Sequence, residues 1–296
     1  MSFYKCKIFC FIWVIVIFVP NLTKAETVAQ ITIPYIHPED HRHDYVVDLL
    51  RLSLNKTIDE YGDYELKQYQ LPTEQDRSLR MVKCEGGIDI VWSMTSIKRE
   101  KEFLPIRIPL QKGLLGYRVF IIKAGRQDSF RKIKLINNLK YFIAGQGHDW
   151  PDTKILRANG LPVETCSHYS FCFDMLLQNR FDYLPRSVSE PWNEIAKYPN
   201  KELVVEKKLL LKYTAPLYFF VSRKNVKMAE RLEKGLRLAI KDGSFDKLFY
   251  NHPQLRTMFE KICFNKRIVI ELKNPLLPPE TPTEDKSLWI DLKKLP

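Results

Sequence analysis

No stretch after residue 20 is long and apolar enough to cross a bilayer, which takes about 20 residues. The chain also lacks tight Lys/Arg blocks with interleaved aromatics, although Lys and Arg number 47 against 35 Asp and Glu. A nucleic-acid face is excluded on that ground. Gly145-x-Gly147 is not a dinucleotide fingerprint, because Trp150 stands where a third glycine is needed and no phosphate-binding lysine follows. There is no nucleophile motif. His37, His41 and His43 fall within seven residues, but zinc sites draw ligands from more than one element. A solvated helix start, with Asp40 or Asp44 favoured by the helix dipole, accounts for that cluster. Neither a metal nor a cofactor is expected.

Cysteine is scarce. Cys6 and Cys10 lie in the first 25 residues, leaving Cys84, Cys166, Cys172 and Cys263. Four cysteines allow two bridges in three connectivities. Cys166 and Cys172 are near enough for a local bridge; buried free thiols are the equal alternative in a chain large enough to fold without staples.

What is present begins with Lys5 and Lys7, twelve apolar residues from Ile8 to Val19, and Thr23-Lys24-Ala25. That is the layout of a secretory signal peptide cleaved after Ala25. Twelve residues rise only about 18 Å as a helix, too short to span. No cysteine marks a lipoprotein cleavage site, so an exported, periplasmic chain is expected. Losing Lys5, Lys7 and Lys24 takes the net charge from +12 to +9. This basic surface suits anionic ligands or membrane surfaces.

The organising stretch is Tyr141 to Trp192. Tyr141-Phe142-Ile143-Ala144 reads as a buried strand, followed by the corner Gly145–Trp150 and a helix after Pro151 that stops at Gly160. A strand (161–165), a helix (167–179) and a strand (181–184) follow, ending in the polar loop 185–192. This alternation means parallel strands with crossover helices. Ligands then bind beyond the strands' carboxyl ends, near Gln146, Gly147, His148, Trp150, Arg186 and Glu190. Upstream, a strand over 29–35 ends near Tyr35 and His37, and 45–61 reads as one helix. The strand Ile88–Trp92 opens into a hydroxyl-rich loop holding Thr95, Ser96 and Arg99. Hydroxyls beside a guanidinium make a carboxylate trap.

These features together resemble the periplasmic solute-binding proteins of the amino-acid type, bacterial family 3, with the type II binding-protein fold. The likeness rests on Ile88-Asp89-Ile90, the Ser96-x-x-Arg99 loop, Pro109, the crossing strand Tyr117–Lys123, the return Ala215–Val221 with Arg223-Lys224, and Asp242-Gly243-Ser244-Phe245. It covers roughly residues 28–251. It implies an α/β fold of two lobes, each a mixed sheet flanked by helices, joined by two crossing strands and closing on a solute by hinge motion. Lobe 1 would comprise 26–115 and 217–251 and lobe 2 would comprise 116–216, with 252–296 an extension packed on lobe 1. Trp289 and Ile290 would pin the extension's end.

The resemblance assigns Arg99 to a ligand carboxylate and Ser96 to hydrogen bonding. His148-Asp149 departs from the family's hydroxyl pair, Leu110 from its aromatic, and Arg186 from its acid. The expected ligand is a small polar, carboxylated solute, delivered by a monomer to an ABC transporter permease or a membrane sensor. An exported dehydratase-like enzyme is the alternative, with His148, Asp149, Glu190 and Arg186 as acid/base groups.

Overall fold

The computed structural model describes residues 28–198 and 202–292. The expected signal peptide, residues 1–25, lies outside them. Among the described residues no helix is long and apolar enough to cross a membrane.

Lobe 1 opens with β1 (Ala29–Ile33), α1 (Asp44–Asn55), α2 (Ile58–Tyr61) and β2 (Tyr64–Gln68), with β2 parallel to β1. It continues through α3 (Gln75–Met81), β3 (Ile90–Met94), α4 (Ile97–Glu102) and β4 (Leu104–Ile106). Asp89 ties β1 to the start of β3: its carboxylate accepts from Thr32 N–H at 2.7 Å, and its own N–H donates to the Thr32 carbonyl at 2.8 Å. Lobe 2 contains β5 (Tyr117–Lys123), α5 (Gln127–Phe130), α6 (Ile136–Leu139), β6 (Ala144–Gly147), α7 (Pro151–Ala158), β7 (Val163–Cys166), α8 (Tyr169–Leu177) and β8 (Leu184–Ser187). It closes with α9 (Pro191–Ile195), β9 (Leu203–Val205) and β10 (Leu209–Lys212). β6 is parallel to β7 and bridges parallel to Tyr183, while β5 pairs antiparallel with β8 and with β9 and β10. The chain returns as β11 (Leu217–Val221), antiparallel between β3 and β4, followed by α10 (Val226–Lys241) and α11 (Ser244–Asn251).

The periodicity of α1 explains its packing. Val46, Leu49, Leu50 and Leu54 share one face and are buried in one core with Leu232, Leu236 and Ala239 of α10. Gly235 permits the contact, since a Cβ there would lie 2.0 Å from the Ser53 carbonyl oxygen. The expected single helix over 45–61 divides at Lys56–Thr57, where the Thr57 hydroxyl donates to the Leu54 carbonyl at 2.9 Å.

Two expected strands lie three residues later in the chain. Tyr141 is exposed, and the strand is Ala144–Gly147. Glycine is required there by close approach, since a Cβ on Gly145 would meet the Phe181 ring at 2.2 Å and one on Gly147 the Trp150 ring at 2.5 Å. Correspondingly, β8 is Leu184–Ser187 and carries Arg186 within the sheet.

The extension reaches both lobes and not lobe 1 alone. α12 (Pro253–Lys261) packs its Leu255 and Met258 into the lobe 1 core. β12 (Ile268–Glu271) then pairs parallel with β10 along its whole length, burying Ile270 while Val269 faces outward. The Asn159 and Asn274 side-chain amides donate to the carbonyls of Lys273 and Thr214, both at 2.8 Å. The tail recrosses where Ile97 N–H donates to the Leu276 carbonyl at 2.9 Å. Trp289 lies against Gly113, and Ile290 N–H donates to the Lys112 carbonyl at 2.8 Å, so the tail's end is pinned.

Cys166 and Cys172 form a disulfide, while Cys84 and Cys263 are free and exposed. The bridge closes a short loop around the start of α8, worth roughly 2 kcal/mol by loop entropy. Reduction should therefore lower the melting temperature by several degrees and add two titratable thiols. An unchanged thiol count would refute the bridge.

Candidate functional site

A cleft of about 230 Å³ opens between the lobes. Lobe 1 supplies Tyr35 after β1, Arg42 and His43 before α1, and Trp92 on β3. Lobe 2 supplies Arg118 on β5, Trp150 and Asp152 at the start of α7, Tyr169 on α8, and Arg186 and Glu190 at the end of β8. Gln111 on the outgoing crossing lines it too, and the carbonyl oxygen of its buried side chain meets no donor.

Two buried arginines dominate the lobe 2 wall. Arg118 Nη2 lies 2.7 Å from Asp152 Oδ1, Nη1 lies 3.6 Å from Glu190 Oε2, and Nε donates to the Tyr213 hydroxyl at 3.0 Å. The Tyr213 hydroxyl donates in turn to Asp152. Arg186 Nη2 lies 2.7 Å from Glu194 Oε1 and 2.8 Å from Glu190 Oε1. Its guanidinium sits 4.8 Å from the Trp150 ring centre. Glu190 also accepts from Ser187 N–H at 2.6 Å. Burial raises the Glu190 pKa and the Glu194 carboxylate adds to it, against the pull of Arg186 and Arg118.

Across the cleft, Arg42 pairs with Asp40 and lies 3.8 Å over the Tyr169 ring, joining lobe 1 to lobe 2. The Tyr169 hydroxyl donates to Glu194 at 2.8 Å. Trp92 Nε1–H donates to His43 Nδ1 at 3.0 Å, which keeps that imidazole neutral. Burial and the Arg42 charge push the His43 pKa down to about 4, outweighing Asp40 and Asp44.

Of the residues singled out in the sequence, Tyr35, Trp150, Arg186 and Glu190 line this cleft. Ser96, Arg99 and His148 line a second interlobe cavity of about 220 Å³. Arg99 is buried and committed: it donates to the Ser93 hydroxyl at 2.6 Å and the Met94 carbonyl at 2.9 Å, and pairs with Asp76 at 2.8 Å. The Thr95 hydroxyl donates to Glu100 at 2.5 Å and the Gln146 amide to the Pro185 carbonyl at 3.3 Å. The Gly147 carbonyl accepts from the Thr153 hydroxyl at 2.8 Å. Thr95, Gln146 and Gly147 line neither cavity. Sequence reasoning did not select Arg42, His43, Trp92, Gln111, Arg118, Asp152, Tyr169 or Glu194. The available signal was Arg118, a charge inside the apolar strand pattern Tyr-Arg-Val-Phe-Ile-Ile.

No protein-family model and no curated protein sequence matches the chain. Solved structures do. An ancestral arginine-binding protein bound to arginine aligns with TM-score 0.56 at 18% identity, over 75% of this chain and 96% of that one. An arginine-specific periplasmic binding protein of Salmonella typhimurium aligns with TM-score 0.55 at 13% identity, over 75% and 97%. An ancestral amino acid-binding protein, a precursor of cyclohexadienyl dehydratase, aligns with TM-score 0.53 at 16% identity, over 75% and 93%. The fold is that of the two-lobed periplasmic binding proteins.

In this binding-protein fold the arginine network is a structural requirement of the cleft wall, and its removal has a definite cost. Arg186→Ala leaves Glu194 buried without its paired cation and Glu190 with Arg118 alone, and should cost about 3–5 kcal/mol in urea unfolding. The paired change Arg186→Met with Glu194→Leu should cost less, and equal losses would contradict the pairing. His43 gives a pH signature. Its folded pKa near 4 lies below the usual 6.5, so between those values the unfolded chain binds more protons. Stability from His43 is full above about pH 6.5 and is lost as the pH falls towards 4. His43→Gln should flatten that part of the urea-midpoint profile, and an identical slope would place the imidazole in water.

Proposed function

We propose that the chain binds one small polar, carboxylated, amino-acid-like solute in the cleft between its lobes. It passes that solute to an ABC transporter, or reports it to a membrane sensor, from the periplasmic side. The observation that carries this reading is the composition of the cleft, whose charged and aromatic groups come from both lobes at once. A solute seated there touches both lobes and so favours the closed arrangement by its differential contacts. About 230 Å³ lies below the 300–1,000 Å³ typical of drug-sized ligands, which suits a solute of amino-acid size.

Arg118 and Arg186 are the groups able to take a carboxylate, each presenting a planar fork of donors. Glu190 now sits beside both of them and is the most exposed of their three carboxylates, with its side chain 20% exposed against 6% for Asp152 and 1% for Glu194. The solute carboxylate would take the place of Glu190 on Arg186, with the indole of Trp150 beside it. Binding is favoured over acid/base catalysis by the separation of the four candidate groups. His148 and Asp149 face the second cavity, while Arg186 and Glu190 face the first.

Thermal-shift screening of the exported form against amino acids, dicarboxylates, amines and phosphorylated solutes tests the proposal. A solute at about a hundred times its dissociation constant adds about 2.7 kcal/mol, a shift of several degrees. Trp150→Ala should weaken the responding solute at least tenfold. A solute that is consumed would point to catalysis instead, and no response from any class would overturn the binding reading.

A further inference from the structure

Residues 131–143 connect α5 to β6 in lobe 2 and include α6. Ile133 and Leu139 are buried in the lobe 2 core, and the Phe142 ring lies tilted against Phe130 with centres 4.9 Å apart. Those three side chains hold the segment down. Three others face outward: Leu135 is 67% exposed, Tyr141 87% and Ile143 40%. The inward residues suffice to anchor the segment, so nothing in the fold requires the outward three to be apolar. Lys132, Lys134 and Lys140 stand exposed among them and meet no carboxylate among the described residues, whereas neighbouring Arg131 pairs with Asp128 at 2.7 Å. The segment combines exposed apolar and aromatic side chains with three unpaired cations.

We infer that this face docks on an anionic phospholipid surface, with Leu135, Tyr141 and Ile143 entering the headgroup layer and the three lysines meeting lipid phosphates. Charge complementarity selects this occupant. A second copy would bring the same three lysines against themselves, and like charges disfavour that contact. The net charge of +9 on the chain without residues 1–25 supports approach to a negative surface. Position supports it as well. β6 starts at Ala144, beside this face, and its far end leads to Trp150 in the cleft. Docking by residues 131–143 therefore leaves the cleft mouth open to solute.

The test uses the exported chain in sedimentation with vesicles of phosphatidylcholine alone or with about 40% phosphatidylglycerol. Binding should require phosphatidylglycerol and fall steeply in salt. Each lysine near such a surface is worth about fivefold in affinity, so the triple change Lys132→Gln, Lys134→Gln, Lys140→Gln should cost roughly a hundredfold. A triple change of equal charge at Lys227, Lys241 and Lys247, on α10 and α11, should cost far less. Leu135→Ser with Tyr141→Ser should weaken binding at low salt, with the melting temperature confirming the fold. Equal losses from the two lysine sets would make the effect one of net charge and overturn the site. Wild-type protein that ignores phosphatidylglycerol, but is held through these lysines by an acidic protein, would overturn the lipid assignment.

Discussion

Two arginine side chains buried in the wall of the cleft set the terms for the lobe 2 half of the site. Arg118 and Arg186 are each only 3% exposed, and a guanidinium cannot shed its proton to escape burial. Each must therefore be surrounded by acceptors. Asp152 from the first turn of α7, Glu194 from α9 and Glu190 from the loop between β8 and α9 converge for that reason. Among the carboxylates, burial raises the Glu190 pKa and the neighbouring Glu194 adds to the rise, against the pull of Arg186 and Arg118. The same group ties together the start of α7 through Asp152, the Trp150 ring beside Arg186, and Tyr169 through Glu194.

The same network carries the lobe-to-lobe contact. Tyr169 is held by Glu194 on one side and covered by Arg42 of lobe 1 on the other, so the ion pairs of lobe 2 position the residue that lobe 1 touches. The carboxy-terminal extension adds a second constraint by running from the lobe 1 core to the edge of the lobe 2 sheet and back. The lobes are therefore joined by β12 on β10 and by Leu276 on Ile97 in addition to the crossing strands.

Much of the fold was legible in the sequence. The apolar stripes of α1 and α10 and the alternation of strands and helices after residue 141 gave elements and order, because these patterns reflect burial directly. The site was less legible. Tyr141–Ala144 has strand-forming residues, yet the strand is the glycine-bearing Ala144–Gly147, since close packing by Phe181 and Trp150 outweighs local propensity. Arg99 has the setting of an anion trap, but Gln75 and Asp76 occupy its guanidinium. Their distance in sequence, more than twenty residues, hides that pairing from any local reading. Trp150 and Glu190 were legible because they follow the strands β6 and β8, and Arg186 because it stands near the end of β8. Arg118 and Asp152 were not, because their significance lies in a contact between a crossing strand and a helix start.

The central claim is that solute occupies the cleft walled by Arg42, Trp92, Arg118, Trp150 and Arg186. Hydrogen exchange on the chain of residues 26–296, with and without a saturating solute, tests it most directly. The account predicts protection appearing together in segments 42–46, 91–94, 117–120, 150–153 and 186–190, from both lobes. Protection confined to one lobe, or centred on residues 79–80, 97–103 and 148 around the second cavity, would contradict it.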